Sequence, residues 1–278
     1  MEKILLAIDV QNLDENAVYF ATYLARLTRS NLTAIFLQNL IKQEEVILEA
    51  GEEGSAVDVI LIREGADDKE LAELRDQNIL LFRELIRRAG VPASIYLDKG
   101  VPARDIVAES RFADLLVIDA ATSFSVSYEG PPTRFVKGIL QEAGCPVVIS
   151  PESFDGDIEN ILFCYDGSKA SLFAMKQFSY LFHELKSKRA KVIDLSVGRF
   201  PEDKGRITEW IKYHYNDVEW IPTEPEAANA LFNYLLRKKN DFVVMGAYGR
   251  GLLASFFEKD PEEGTTRTTS LPIFVAHC

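Results

Sequence analysis

Residues 4–9 form a short aliphatic run, which is followed by apolar side chains that recur every three or four positions. The same run and pattern return from residue 160, at a constant offset of 157 residues, for instance from Asp9 to Asp166. Each half then closes with a second shared pattern, in residues 113–119 and 145–149 and in residues 241–246 and 271–275. Solenoid repeats are only about 20–50 residues long, so a repeat of this length indicates two tandem domains.

The predicted elements follow the same order in both halves, because apolar runs typical of buried strands alternate with amphipathic helical patterns. The predicted strands are residues 4–9, 32–37, 93–97, 115–119, 147–150, 160–166, 191–195, 218–221, 242–246 and 273–276. The predicted helices follow Asp14 and Asp68 and cover residues 103–110, 133–143, 168–185, 207–213 and 227–236, with a polar connection over residues 41–68. The alternation predicts an α/β fold of two doubly wound domains, residues 1–152 and 153–278, each with its own mainly parallel sheet.

Composition and charge narrow the classes of partner. The chain has a net charge of −12, with 47% hydrophobic and 27% charged residues. This acidic balance repels nucleic acids and anionic membranes, so we expect neither as a partner. No apolar run is long enough to span a bilayer, and residues 1–5 do not resemble a secretion signal, so we expect a cytoplasmic protein. Cys145 and Cys164 lie in or beside apolar strands, and we expect them to be buried, reduced thiols.

Candidate functional residues lie where the predicted strands end, because a doubly wound sheet binds ligands beyond the carboxyl ends of its strands. Asp9 and Asp166 end the first strands of the two halves, and Asp119 and Gly246 end the fourth strands. With these end residues, the order and lengths of the elements resemble the universal stress protein family over nearly the whole chain, as two fused copies. The resemblance implies five-stranded parallel sheets of order 3-2-1-4-5 with helices on both faces, and domains that pair through their last strands.

Family members that bind ATP carry G-x2-G-x9-G-[ST] after the fourth strand and an aspartate at the end of the first strand that holds the nucleoside. Glycines in such a loop let backbone amides approach the phosphates. By this resemblance, Asp166 corresponds to the nucleoside aspartate of the second half. The candidate residues for binding an adenine nucleotide, AMP or ATP, are Asp166, Gly246, Tyr248, Gly249, Arg250 and Gly251.

The distal part of the motif is changed in the second half. Where G-[ST] is expected, the chain has Lys259-Asp260, inside an acidic stretch of residues 258–263 with four carboxylates. Gly264-Thr265 is a displaced alternative, but it leaves only six residues before Pro272, too few for the last helix of the family. A tight turn explains the remaining G-x2-G equally well. The sequence therefore predicts at most weak nucleotide binding in this half.

The first half has lost more of the motif. Its loop reads Asp119-Ala120-Ala121-Thr122, without glycine, and the G-[ST] position falls near Thr133-Arg134. Two carboxylates at neighbouring strand ends, Asp9 and Asp119, disfavour a polyanion. They leave two alternatives open: a cation that bridges them, or two solvated or helix-capping aspartates. We expect no nucleotide here.

The function that these observations favour is binding rather than catalysis, since no nucleophile and base pair stands out. Apart from the cation alternative at Asp9 and Asp119, we expect no metal site. We expect a tandem universal stress protein that acts in a stress response by binding a partner protein or a small ligand. The alternative is a protein that binds ATP and hydrolyses it slowly. We expect the two halves to pair within the chain, and the sequence leaves open both a homodimer and the identity of a protein partner.

Overall fold

The computed structural model describes residues 1–38, 67–98, 100–125, 127–196, 201–222, 240–247 and 270–277. The elements of the first half are β1 Lys3–Asp9, α1 Glu15–Thr28, β2 Asn31–Leu37, α2 Asp67–Ala89, β3 Ala93–Asp98, α3 Pro102–Ser110, β4 Leu115–Ile118, α4 Arg134–Glu142 and β5 Val147–Ile149. Those of the second half are β6 Asn160–Tyr165, α5 Lys169–Leu181, a 3₁₀ helix His183–Ser187, β7 Arg189–Asp194, α6 Pro201–Ile211, β8 Asp217–Pro222, β9 Asp241–Gly246 and β10 Ile273–Ala276. Each predicted strand is present, and no bound differs from the prediction by more than two residues.

The strands lie in the order β3-β2-β1-β4-β5-β10-β9-β6-β7-β8. Within each half the pairs are parallel, and the order is 3-2-1-4-5 counted within that half. The predicted α/β fold with two doubly wound units is therefore confirmed. Parallel strands all begin at the same end of the sheet. The chain must therefore cross back between consecutive strands, usually through a helix, and such crossovers are right-handed.

The two halves join through their last strands, as predicted. β5 and β10 pair in antiparallel orientation, with Val148 opposite Phe274. The prediction that each half has a separate sheet is wrong, because this pairing makes one ten-stranded sheet. An apolar edge strand left open would attract other chains, and each last strand covers the edge of the other.

Helices cover both faces of this sheet. One face packs α1, α2, α5 and α6 over alternate strand residues such as Leu6 and Phe163. The other face packs α3 and α4 over the residues in between, such as Leu5 and Leu162. Successive side chains of a strand point to opposite faces, so a strand buried on both sides reads as one continuous apolar run.

Phe154, in the predicted linker of residues 151–156, packs against the first half. Its ring lies 4.7 Å from that of Tyr23 and 5.0 Å from that of Phe20, both on α1. Phe20 in turn lies 6.0 Å from Phe242 of the second half. The chain between the halves is therefore part of the core at this point.

The single helix predicted over residues 168–185 is shorter in the structure. α5 ends at Leu181, and Phe182 leaves the helical conformation with φ −119° and ψ 49°. This change of direction allows Phe182 and Leu185 to be buried, with Phe182 against Phe178 at 4.8 Å. The predicted helix of residues 227–236 and the connection of residues 41–66 lie outside the described residues.

No helix in the described part of the chain is both long enough and apolar enough to cross a membrane. Cys145 and Cys164 are buried free thiols, as predicted.

Candidate functional site

The strand order reverses between β1 and β4 in the first half and between β6 and β9 in the second, because each first strand has a neighbour on either side. Asp9 lies at the carboxyl end of β1, and Asp166 directly follows β6. Asp119 follows β4, while Gly246 is the last residue of β9. These four residues thus lie at the switch points of the two halves, where ligands bind in this class of fold.

Asp9 and Asp166 form the same local turn. The Asp9 carboxylate accepts a hydrogen bond from the backbone N–H of Gln11 at 2.9 Å, and Asp166 accepts one from the N–H of Ser168 at 2.9 Å. An aspartate that accepts from the amide two residues later reverses the chain as a backbone turn would. Both carboxylates therefore have a structural role, whatever else they bind.

The two carboxylates differ in their electrostatics. Burial raises the pKa of Asp9 to about 6, and the hydrogen bond from Gln11 offsets only part of that effect. Burial also raises the pKa of Asp166, but the hydrogen bonds from Ser168 and Ser171 outweigh it and bring the pKa below its ordinary value. The charged form is thus disfavoured at Asp9 and favoured at Asp166.

The first helices begin at different places relative to these aspartates. Ser168, two residues after Asp166, caps α5 by accepting from the N–H of Ser171. Asp14, five residues after Asp9, caps α1 by accepting from the N–H groups of Asn16 and Ala17. When the two halves are aligned on Asp9 and Asp166, α5 therefore begins almost one turn earlier than α1.

This additional turn explains Gly246. A Cβ atom on Gly246 would lie 2.6 Å from the carbonyl carbon of Ala170 and 2.7 Å from the nitrogen of Ser171, both in the first turn of α5. Contacts this short exclude any side chain at the position. The first glycine of the G-x2-G pattern is thus required by helix packing, without reference to a phosphate.

In the first half the corresponding space is open. At the repeat offset, the counterparts of Ala170 and Ser171 are Leu13 and Asp14, which precede α1. Asp119 follows the fourth strand of the first half, and Gly246 ends the fourth strand of the second half, so the two residues are counterparts. Because the first half lacks the additional helical turn, it has space for the side chain of Asp119. This space forms a cavity of about 140 Å³ that is lined by Asp9, Asp14 and Asp119 together with polar and small residues.

Carboxylates dominate this cavity. The described residues that line it include three aspartates and no Lys or Arg. Burial raises the pKa of Asp119, backbone hydrogen bonds from Ala121 and Ala120 lower it, and the charges of Asp14 and Glu152 raise it further. Like charges in one partly buried space repel a polyphosphate. The sequence had identified Asp14 as a helix cap but had not placed it with Asp9 and Asp119.

The cation alternative for Asp9 and Asp119 gains no support. Within the described residues there is no group of three or more His, Cys, Asp or Glu side chains that could hold a metal ion.

Thr133, near the expected G-[ST] position of the first half, is committed to the protein itself. Its hydroxyl donates to the carbonyl of Thr122 and accepts from the N–H of Val136, which caps α4. Its own N–H donates to the carbonyl of Ala120 at 3.2 Å. With a buried side chain and these partners, Thr133 closes the loop after β4 and offers no free donor to a phosphate.

In the second half the structure places Asp166 and Gly246 together with Ser168 at one strand-end site. The described chain after β9 ends at Ala247, whose N–H donates to the carbonyl of Ala276 at 2.9 Å. The candidate residues Tyr248, Gly249, Arg250 and Gly251, and the acidic stretch of residues 258–263, lie outside the described residues.

The chain matches no protein-family model and no curated protein. Solved structures do resemble it. A universal stress protein from Archaeoglobus fulgidus has a TM-score of 0.63 at 18% identity, over 99% of this chain and 98% of that chain. A putative universal stress protein from Pseudomonas aeruginosa has a TM-score of 0.53 at 14% identity, over 100% of this chain and 93% of that chain. The chain therefore has the fold of universal stress proteins in a tandem arrangement, and identities this low show the fold alone.

A universal stress protein from Arabidopsis thaliana, solved with AMP bound, matches 53% of this chain at 16% identity. Its TM-score of 0.32 is too low for the AMP to be carried over.

Proposed function

We propose that this protein acts by binding rather than by catalysis, as a tandem stress-response protein whose second half holds an adenine nucleotide weakly at most. The observation that carries the proposal is the contrast between the two strand-end sites. Asp166 has a lowered pKa and a hydrogen-bonded turn beside Gly246, whereas the counterpart site collects Asp9, Asp14 and Asp119 in one cavity. The units of this function would be residues 1–152 and residues 153–278.

In the second half, Asp166 would accept hydrogen bonds from ribose hydroxyl groups, because it stays charged at neutral pH. The candidate residues Tyr248, Gly249, Arg250 and Gly251 would form the loop beyond Gly246. The chain then supplies four carboxylates over residues 258–263, where backbone amides would otherwise meet the distal phosphates. Like charges 4 Å apart repel by about 4 kcal/mol at an effective dielectric constant of 20, so ATP should bind more weakly than AMP.

In the first half, a nucleotide would have to bring its phosphates beside Asp9, Asp14 and Asp119. No Lys or Arg lines the described cavity to offset this repulsion. The first half would therefore serve the pairing of the halves and the stability of the fold, or bind a partner protein.

Titration calorimetry on the whole chain with adenosine, AMP and ATP tests the proposal. We expect weak binding, with AMP at least as tight as ATP, that is lost in Asp166→Ala and kept in Asp9→Ala, the matched change in the other half. ATP binding with a micromolar dissociation constant, and more tightly than AMP, would overturn the proposal. That result would favour the alternative, an ATP-binding protein with slow hydrolysis. Mass spectrometry of small molecules released from freshly purified protein is an independent check, since a stoichiometric adenine nucleotide would also support that alternative.

The two buried thiols also support a cytosolic location as part of this proposal, because unpaired cysteines persist in reducing compartments.

A further inference from the structure

A groove lies between helices α1 and α2 of the first half, away from the carboxyl ends of the strands. It has a volume of about 250 Å³. Val18, Leu85 and Ala89 line it with apolar surface, and Tyr19 and Thr22 also belong to its lining. An engineered apolar cavity of about 150 Å³ is enough to bind benzene, so this groove has room for a single ring with a substituent.

The same position in the second half is filled. Ala93 of β3 pairs with Leu32, and Val218 of β8 pairs with Ala190 at the equivalent place in the second half. The segments that lead into β3 and β8 therefore align at an offset of 125 residues. With this offset of 125 residues, Leu85 corresponds to Trp210 and Ala89 corresponds to His214.

The larger residues of the second half pack together there. The rings of Trp210 and His214 lie 4.5 Å apart, and Tyr180 lies 5.5 Å from His214. In the first half, Tyr23, the counterpart of Tyr180, packs instead against Phe154 at 4.7 Å. The groove is therefore a property of the side chains in the first half and not of the fold itself.

Two guanidinium groups line the groove. Arg26 donates one hydrogen bond, to the carbonyl of Ala89 at 3.2 Å, and is otherwise exposed. Arg88 lies on the other side, where Glu84 binds both Arg88 and Arg87. Arg26 and Arg88 line the groove, which has no carboxylate in its described lining, so a positive charge lies beside an apolar surface. On a chain with a net charge of −12, this is a local reversal of sign.

We propose that this groove between α1 and α2 binds a small apolar carboxylate, with its ring or alkyl group between Val18, Leu85 and Ala89 and its carboxylate toward Arg26 and Arg88. The volume selects the size of the apolar group, and the guanidinium groups select an anion, since a guanidinium matches the geometry of a carboxylate. The site is separate from both strand-end sites and does not depend on nucleotide binding.

Phenylacetate is the probe, with phenylacetamide as its neutral isostere, and ligand-observed NMR on the whole chain is the measurement. About ten non-hydrogen atoms in such a site should give a dissociation constant of about a millimolar. We expect phenylacetate to bind more tightly than phenylacetamide. Equal affinity for the two probes, or no saturable binding of either, would overturn the proposal.

Two variants locate the site. Leu85→Trp with Ala89→His gives the first half the ring cluster of the second and should abolish saturable binding of phenylacetate. Ala89→Leu, a smaller filling change, serves the same purpose if the double variant does not fold. Phenylacetate that binds either folded variant as well as the native protein would place the probe elsewhere and overturn the proposal.

Arg26→Gln tests the charge. An exposed ion pair contributes little, so this variant should weaken phenylacetate by about 1.5- to fivefold and leave phenylacetamide unchanged. Arg29→Gln, on the same helix end but outside the lining of the groove, is the matched control and should change neither. Equal weakening of both probes by Arg26→Gln would show that the arginine acts only through packing, which contradicts the proposal.

Discussion

Val148 and Phe274 stand opposite each other in the antiparallel strand pair that joins the two halves. Both side chains are fully buried, and Phe274 also meets Phe178 edge to face at 5.3 Å. The contact between the halves is therefore continuous with the hydrophobic core. A change at this contact should act on the stability of the whole chain and not only on the pairing of two separate bodies.

Replacing Phe274 with alanine tests this. Removing a fully buried phenylalanine side chain should lower the free energy of unfolding by about 3–5 kcal/mol. Phe112→Ala is the matched control, because Phe112 is 77% exposed and its loss should change stability by no more than about 0.5 kcal/mol. Urea denaturation measures both. Similar midpoints for the two variants would contradict a shared core at β5 and β10.

Gly246 and Gly138 should respond in opposite ways to alanine. A Cβ atom at Gly246 meets the backbone of Ala170 and Ser171, so Gly246→Ala should destabilise the protein by about 1–3 kcal/mol. A Cβ atom at Gly138, inside α4, meets nothing within 4 Å, so Gly138→Ala should stabilise it by about 0.5–1 kcal/mol. Thermal unfolding decides the sign. A neutral Gly246→Ala would mean that α5 can shift away from β9.

Asp9→Asn and Asp166→Asn should have pH profiles of opposite slope. The pKa of Asp9 is about 6 in the folded protein, against an ordinary value of 3.8, so the folded state binds more protons and the group destabilises it as pH rises through this range. The neutral Asn side chain removes this loss of stability at higher pH. Its carbonyl oxygen still accepts the hydrogen bond from the backbone N–H of Gln11. The stability of Asp9→Asn relative to the native protein should therefore rise by roughly 2 kcal/mol between about pH 4 and about pH 7.

Asp166 has a lowered pKa, so its charged form stabilises the fold above the ordinary pKa of 3.8, and the contribution disappears as pH falls through the folded value. Asp166→Asn should therefore lose stability relative to the native protein as pH rises from the acidic range to neutrality. Denaturant titrations over the same pH series measure both variants. Parallel profiles would show that the two turns have the same electrostatics despite their different partners.

The buried cysteines should be unreactive in the folded protein. Burial, with a smaller effect from Asp114 or Asp166, raises the pKa of the Cys145 and Cys164 thiols to about 12. The thiolate is the reactive form, so Ellman's reagent should modify neither residue at mildly alkaline pH. In a Cys278→Ser background we expect no labelled thiol in the native state and two in concentrated guanidinium. Rapid native labelling would reveal local opening at β5 or β6.

The repeat in the sequence was enough to predict the strands of both halves, whereas the strand order 3-2-1-4-5 and the pairing of the last strands came from the family resemblance. Strands buried on both faces are uninterrupted apolar runs, and their alternation with helices predicts parallel pairing. The meeting of β5 and β10 in one sheet was implied by the resemblance, although the prediction had kept two sheets. Long-range pairing of this kind leaves no local pattern in either strand.

The site was less predictable, because the two halves differ in where their first helices begin. The constant offset of the sequence repeat does not show this difference. Asp9 and Asp166 align perfectly at the repeat offset, yet α5 starts almost a turn earlier than α1, since Ser168 caps one helix and Asp14 the other. From sequence, Gly246 appeared to be a phosphate-loop glycine. Its contact with Ala170 depends on where the helix starts, which a capping residue decides by a single hydrogen bond.

The antiparallel seam between β5 and β10 has one more consequence. It reverses the strand direction of one half relative to the other, so Asp9 and Asp166 open onto opposite boundaries of the same sheet. Five strand spacings of about 4.8 Å also separate β1 from β6 sideways, or about 24 Å. No nucleotide-sized molecule can bridge the two strand-end sites. A ligand at one site and a ligand at the other would therefore enter from opposite sides of the molecule.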